Sequence, residues 1–330
     1  MGAFDQLDKW TDEQLAQIER RIRGIYSAAA DELAEKAAAF YRDLEDRDAV
    51  MLERVRDGTL TEEQYRLWLQ GQMAAGERYE AMRDELAARV SGSNQLAATY
   101  ISGKVPEIFR ENYNRSAWLL ERGYGDLSFT LFDEHTVRRL ILERPELLPP
   151  VSIDIPLDER WNQGKITDTI TSAILQGKRI PDIAEDLRSV AEMNRVSAVR
   201  NARTAVTGAQ NAGRQESYAH AASMGIRVQK MWVATKDSRT RDSHRAMDGT
   251  VVGYDEEFHT DLGSTMLYPG DRNGKPGDIY NCRCTLRTVE KPGIEAEGRQ
   301  MRVRDPDTGK NVVVSGMTYH EWERWVKRRA

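Results

Sequence analysis

The sequence predicts an α+β protein: a long helical N-terminal region followed by a smaller mixed α/β module with a short, mainly antiparallel sheet. Three observations predict it. Apolar residues recur in steps of three and four through most of the first 225 positions, which is one stripe on a helix. The period changes to two at Ile226, and the later β-branched and aromatic runs are short, as strands are. Between them, residues 148–156 are extended and proline-rich, which reads as a linker. The expected division is a helical region at 1–150, a helical lead-in at 151–225 and an α+β module at 226–330.

The first stripe runs Leu15, Ile18, Ile22, Ile25, Ala29, Leu33, Ala37, Phe40 and Leu44. Thr11 reads as its N-cap, with Gln14 at the reciprocal position of a capping box. A helix over 11–57 would be roughly 70 Å long, and a break near 45–48 is the alternative. Thr61-Glu62-Glu63-Gln64 opens a second helix whose stripe runs from Tyr65 through Leu69, Met73, Tyr79 and Leu86 to Val90. Ser91-Gly92-Ser93-Asn94 is expected to kink or end it. A third helical stretch reaches about 121, interrupted near Gly103 and Pro106. Residues 123–136 read as loop and short strand, and 137–143 as a short helix stopped by Pro145.

From Asp158 a helix carries Trp161, Ile166, Ile170 and Ile174 and ends at Gly177. Pro181 opens another in its first turn. A longer helix spans about 195–224 and is stopped by Gly225. Strands are expected at 226–234, 250–253 and 280–289. A hairpin pairs 299–304 with 310–315 around Asp305-Pro306-Asp307-Thr308-Gly309. Thr318 and Glu321 form a capping box on a last helix, with Trp322, Trp325 and Val326 on one face.

Composition narrows the class. The 330 residues carry a formal net charge of -5, with 40% hydrophobic and 31% charged residues, an ordinary globular balance. No stretch approaches the roughly 20 apolar residues of a membrane span, and the first residues lack the apolar core of a signal peptide. Two cysteines exclude a disulfide scaffold and point to a reducing cytosol. Charge is uneven: net -7 over 1–100, -2 over 101–200 and +4 over 201–330. That basic back third is too weakly charged to mark a nucleic-acid face by itself.

The pointed residues lie between 232 and 284. They are Trp232, Asp237, Arg239, Arg241, His244, Asp248, Gly249, Phe258, Asn281, Cys282 and Cys284. Cys282 and Cys284, two apart on an expected strand, would point their sulfurs the same way. With His244 they could bind a tetrahedral metal, a carboxylate or water being fourth. The plainer readings are a packed core corner for the cysteines, an N-cap for Asp237 with Gly249 as the helix stop, and an i,i+4 pair of Asp237 with Arg241. Packing is the preferred reading, so no cofactor is expected and zinc is the alternative. His244, Cys282 and Cys284 are expected to lie near one another. The Gly-rich run 270–277 fits no phosphate-binding loop and reads as mobile.

This ordered set resembles the phage Mu protein F-like family, the head morphogenesis or minor head proteins of tailed bacteriophages. The resemblance covers roughly 165–290 and includes an Arg-Thr-rich helix, here Val199-Arg200-Asn201-Ala202-Arg203-Thr204 through Asn211 and Gly213. Members often have Glu after the Arg-Thr pair, where this chain has Ala205, so no catalytic role is carried over to that helix. The resemblance implies a structural protein and not an enzyme, made in the host cytoplasm and housed in the virion, inside the head. It implies incorporation into the procapsid, binding to the portal protein or inner capsid surface, and a role in head assembly and DNA packaging or ejection. Non-specific contact with packaged DNA and a metal-dependent enzyme using His244, Cys282 and Cys284 are the alternatives. No membrane partner is expected.

Overall fold

The structure is a computed structural model that describes residues 3–124, 129–149, 154–289, 300–304, 310–315 and 317–329. Ten helices are described: α1 Ala3–Arg56, α2 Glu62–Met73, α3 Glu77–Tyr124, α4 Glu134–Glu143, α5 Ile155–Leu175, α6 Ile180–Asp186, α7 Arg188–Ser223, α8 Asp242–Met247, α9 Pro276–Ile279 and α10 Tyr319–Arg329. The described strands are β1 Gln229–Val233, β2 Val251–Gly253, β3 Phe258–His259, β4 Thr265–Met266, β5 Thr285–Thr288, β6 Gln300–Arg304 and β7 Asn311–Ser315. A three-stranded sheet has the order β2-β1-β5, both pairings antiparallel; β3–β4 and β6–β7 are separate two-stranded pieces. The α+β class, with long helices first and a small antiparallel sheet late, is what the two periods predict.

Several element boundaries differ from the sequence reading. Thr11 is not a cap but lies inside α1, where its hydroxyl donates to the Leu7 carbonyl at 3.1 Å. Phe4 and Leu7 are buried and carry the stripe further toward the N-terminus than the capping pattern suggested. There is no break at 45–48: Asp48 turns inward and accepts a 2.6 Å hydrogen bond from the Tyr65 hydroxyl on α2. The expected second helix is two, because α2 ends at Met73 and α3 begins at Glu77. Conversely α3 runs unbroken through 91–94, Gly103 and Pro106. No strand occurs among the described residues of 123–136; residues 125–128 lie outside the description, as do 150–153 of the expected linker and 305–309 of the hairpin turn. α7 starts at Arg188, earlier than expected. Asp237 is not the cap of α8, whose N-cap position is Arg241. The third strand begins only at Thr285, so both cysteines precede it.

Two compact units form. One contains residues 18–100 and 152–199, the other 1–17, 101–151 and 200–330. The chain passes from one unit to the other at 151/152, beside the expected division at 150; the other crossings fall inside α1, α3 and α7, and none falls at 225.

The 18–100/152–199 unit packs Leu33, Tyr41, Leu69, Leu86, Ile166, Ile170, Ile183 and Val190 into one apolar cluster. Beside it is a polar chain. Asn162 Nδ2 donates to Ser91 Oγ at 3.0 Å, and Asn194 Nδ2 to Asn162 Oδ1 at 2.8 Å. Asn94 Nδ2 donates to Asn194 Oδ1 at 2.9 Å, and the Tyr26 hydroxyl to Asn94 Oδ1 at 2.6 Å. These partners hold the Ser91–Asn94 run in α3, although Ser and Asn favour turns in isolation.

In the other unit, α7 passes so close to α3 that a Cβ at Gly213 would lie 2.3 Å from the Phe109 carbonyl oxygen. A side chain there would force the two helices apart, which is the physical need for glycine at this position. The C-terminal capping box forms as expected: Thr318 N–H donates to Glu321 Oε2 at 2.9 Å. Trp322, Trp325 and Val326 on α10 are buried, and Trp322 Nε1 donates to Glu121 at 2.9 Å.

Candidate functional site

The site is assembled against the second half of α7. Thr207 Oγ1 donates to the Cys282 carbonyl at 2.6 Å. Asn211 Nδ2 donates to the carbonyls of Pro269 and Cys284 at 2.9 and 3.0 Å, and its Oδ1 accepts from Leu286 N–H at 2.8 Å. Gly208 admits the segment carrying Gly270: a Cβ there would meet Pro149 at 2.4 Å and the Gly270 carbonyl at 3.4 Å. The Gly-rich run is therefore not the free loop expected from sequence. Gly270, Asp271 and Gly274 are buried, and Asp271 ties the turn by accepting from Leu267 and Asn273 N–H.

Asn281 has φ +59°, a left-handed conformation that Asn tolerates better than most residues. Its N–H donates to Thr204 Oγ1 at 3.0 Å, and Arg203 donates to its side-chain oxygen at 3.3 Å. This turn brings Cys282 and Cys284 inward before β5 begins. Alternation on a strand, the reason given from sequence for their common direction, is not the cause.

Trp232 on β1 is fully buried, its ring edge-on to His244 at 5.3 Å and to Phe258 at 5.4 Å. Gly249 (φ +79°) donates to the Trp232 carbonyl at 2.9 Å, and Asp248 Oδ1 accepts from Ala234 N–H at 2.9 Å. These contacts return the end of α8 to β1 and fix where His244 projects. Asp237 makes a two-pronged bridge to Arg283 at 2.6 and 2.8 Å and also accepts from Arg239 N–H. The Arg283 guanidinium beside it holds its carboxyl well below the usual range. Asp237 is thus a turn-former joined to the Cys segment. The Asp237–Arg241 pair expected from spacing is replaced, and Arg241 donates to the Tyr280 carbonyl instead. The Arg239 side chain is largely exposed and stands apart from the buried cluster, 3.6 Å from Asp237.

At the centre, His244, Cys282 and Cys284 come together as expected, all buried, with ligand atoms within 4.8 Å of one another. His244 Nδ1 lies 3.6 Å from Cys282 Sγ and 3.3 Å from Cys284 Sγ. The cysteines are not bridged. A hydrogen bond from Cys282, with a smaller contribution from His244, pushes the Cys284 thiol down to about 5. The same Cys282–Cys284 contact and burial drive Cys282 up.

Sequence reasoning missed the group behind the imidazole. Asp278 is fully buried and accepts from the hydroxyls of Ser243 (3.1 Å), Thr260 (2.7 Å) and Ser264 (2.6 Å). Burial opposes its ionisation, but those hydroxyls and His244 outweigh it and hold the carboxyl below its usual range. His244 Nε2 lies 3.3 Å from Asp278 Oδ1, off the line that a hydrogen bond requires. No local spacing marks Asp278. Lys230 was missed as well: it is buried, donates to the Tyr254 carbonyl at 2.7 Å, and burial pushes its ammonium down to about 8.

Two thiols and a ring nitrogen directed at one point can coordinate a soft metal or close a packed corner. A thiol beside an imidazole is also the first half of a nucleophile–base pair, but here both groups are closed to solvent.

Residues 164–287 match the family model described as phage Mu protein F like protein. Nearly the whole chain is similar to the minor head protein GP7 of Bacillus phage SPP1: 25% identity over 326 residues, 98% of this chain and 97% of that protein. A stretch of 161 residues, 48% of this chain, is 32% identical to 30% of the NAD(+)–arginine ADP-ribosyltransferase EFV of Enterococcus faecalis. Another of 127 residues, 38% of this chain, is 34% identical to 41% of the uncharacterized protein YqbB of Bacillus subtilis. No solved structure matches. The residues matched by the phage Mu protein F like model contain the buried cluster and the helix that clamps it.

Proposed function

We propose that this protein is a minor head protein of a tailed bacteriophage. It is built into the procapsid, binds the portal or the inner capsid surface, and serves head assembly and DNA packaging or ejection from inside the head. The observation that carries this reading is the end-to-end similarity to a phage minor head protein, which takes in both units and the family region. The site geometry supports a structural role. Trp232, Phe258, His244 and the two cysteines are buried and hold segments together, and none of them opens on a substrate cleft. We therefore read the chain as non-enzymatic. The similarity to an ADP-ribosyltransferase involves 30% of that protein, and we read the shared stretch as common scaffold. Among the described residues, no helix is long and apolar enough to cross a membrane.

Co-expression with the portal and capsid proteins of the same genome, followed by sedimentation, tests the proposal. The chain should travel with procapsids at low and moderate salt. Exclusion from particles at both contradicts it. NAD consumption by the purified chain would favour the enzyme reading, and a steep salt dependence of DNA binding would favour the nucleic-acid one.

A further inference from the structure

We propose that His244, Cys282 and Cys284 form a zinc site in which Asp278 orients the histidine and water takes the fourth position.

The distances support it first. With zinc–ligand lengths of about 2.0–2.3 Å, a tetrahedral angle separates a nitrogen and a sulfur ligand by about 3.5 Å. The two nitrogen–sulfur separations here are 3.3 and 3.6 Å. Both nitrogen–sulfur edges therefore already have the length they take in a zinc tetrahedron, and all three ligand atoms lie within 4.8 Å of one another.

The ring is aimed correctly. Nδ1 faces both sulfurs, which leaves Nε2 to carry the proton. Nε2 is buried and has no hydrogen bond, yet a carboxylate oxygen lies 3.3 Å away. A metal-bound histidine characteristically gives its second ring nitrogen to a carboxylate, and a small ring rotation onto the metal would align this one. Asp278 suits that role because three hydroxyls fix its position from other sides.

Backbone N–H groups are directed at both sulfurs. Cys284 N–H points at Cys282 Sγ at 3.4 Å, and Thr235 N–H donates to the Cys284 sulfur. Thr207 and Asn211 anchor the two cysteine carbonyls, so the loop holds its shape without the metal's help. Two thiolates and one neutral imidazole balance the charge of a divalent ion, and this soft donor set selects zinc over magnesium or calcium. Among the described residues, no fourth His, Cys, Asp or Glu joins the group, which leaves the last position to one enclosed water.

The test uses the full chain, expressed without added zinc and purified without chelator. Metal analysis should find about one zinc per chain, and cobalt(II) exchanged into the site should show a thiolate charge-transfer band with tetrahedral d–d bands. Cys284→Ser and His244→Ala should lose the metal. Because either variant could also unfold, Asp278→Asn is the second arm: folded by circular dichroism, it should bind zinc about 10–100-fold more weakly and shift the cobalt spectrum. A folded chain with both thiols intact that stays metal-free after dialysis against zinc overturns the site. Another metal in its place, or cobalt bound without a thiolate band, overturns the assignment. Unchanged zinc affinity in Asp278→Asn removes the role of Asp278.

Discussion

Arg214 on α7 exposes none of its side chain, yet it is a cation. Its guanidinium is accommodated by Asp8 at 2.6 Å, Asn112 Oδ1 at 3.1 Å and the Leu286 carbonyl at 2.9 Å. Arg287 completes the group, 2.5 Å from Asp8 and 3.0 Å from Asp5. Removing one partner of such a group strands the other, so Arg214→Met should cost about 3–5 kcal/mol in chemical denaturation. In the Asp8→Asn background the same change should cost less, and equal costs would contradict the coupling. Burial alone would raise the Asp8 carboxyl, but Arg214 and Arg287 outweigh it, so its folded value lies below the ordinary one. Its stabilisation is then complete above the ordinary carboxylate value near 3.9 and is lost as pH falls through the depressed folded value. The wild type should therefore lose more stability than Asp8→Asn between neutral pH and pH of about 3. None of this was legible in the sequence. Asp8 and Arg214 are 206 positions apart, and Asp8 falls before the point where the capping pattern at Thr11 seemed to start the helix. The His244, Cys282 and Cys284 cluster was legible as a set of residue types. Asp278 was not, because its partners come from two other segments, Ser243 in one and Thr260 and Ser264 in the other.

The helix starts at Thr61 and Thr318, where the capping box forms within four residues, were read correctly. Thr61 is the example: its hydroxyl accepts from Gln64 N–H at 3.1 Å, and Gln64 Oε1 accepts from Thr61 N–H at 3.0 Å. Thr61→Ala should cost about 1 kcal/mol by urea denaturation, with Thr61→Asn nearly neutral; a cost from both would mean the hydroxyl acts otherwise than as a cap. Elements whose fate depends on distant partners were misread. Ser91 and Asn94 look like a stop, and they stay helical because their partners lie 71 and 100 positions away. Cys282 and Cys284 look like a strand pair, and their inward turn comes from Asn281 and from the α7 side chains of Thr204, Thr207 and Asn211. The presence of strands after Ile226 and the pairing of the last hairpin were legible because alternation is local; the short β3–β4 pair was not, being two residues on each strand.

At the scale of the molecule, the two units are built from interleaved stretches of chain; the proline-rich run marks the crossing at 151/152, and the three crossings inside helices have no such mark. The mildly basic back third, 201–330, lies wholly in one unit, and most of the acidic front third, 18–100, lies in the other. What the whole chain shares with a phage minor head protein is its full extent, and the account rests on that. Quantitative mass spectrometry of density-purified procapsids and virions, from the phage that encodes the chain, tests it most directly. The account predicts this protein in both particles, at few copies per head, and protected from added protease until the heads are opened. Its absence from washed particles would contradict the assignment to the head, and its removal by protease from intact heads would contradict an interior position.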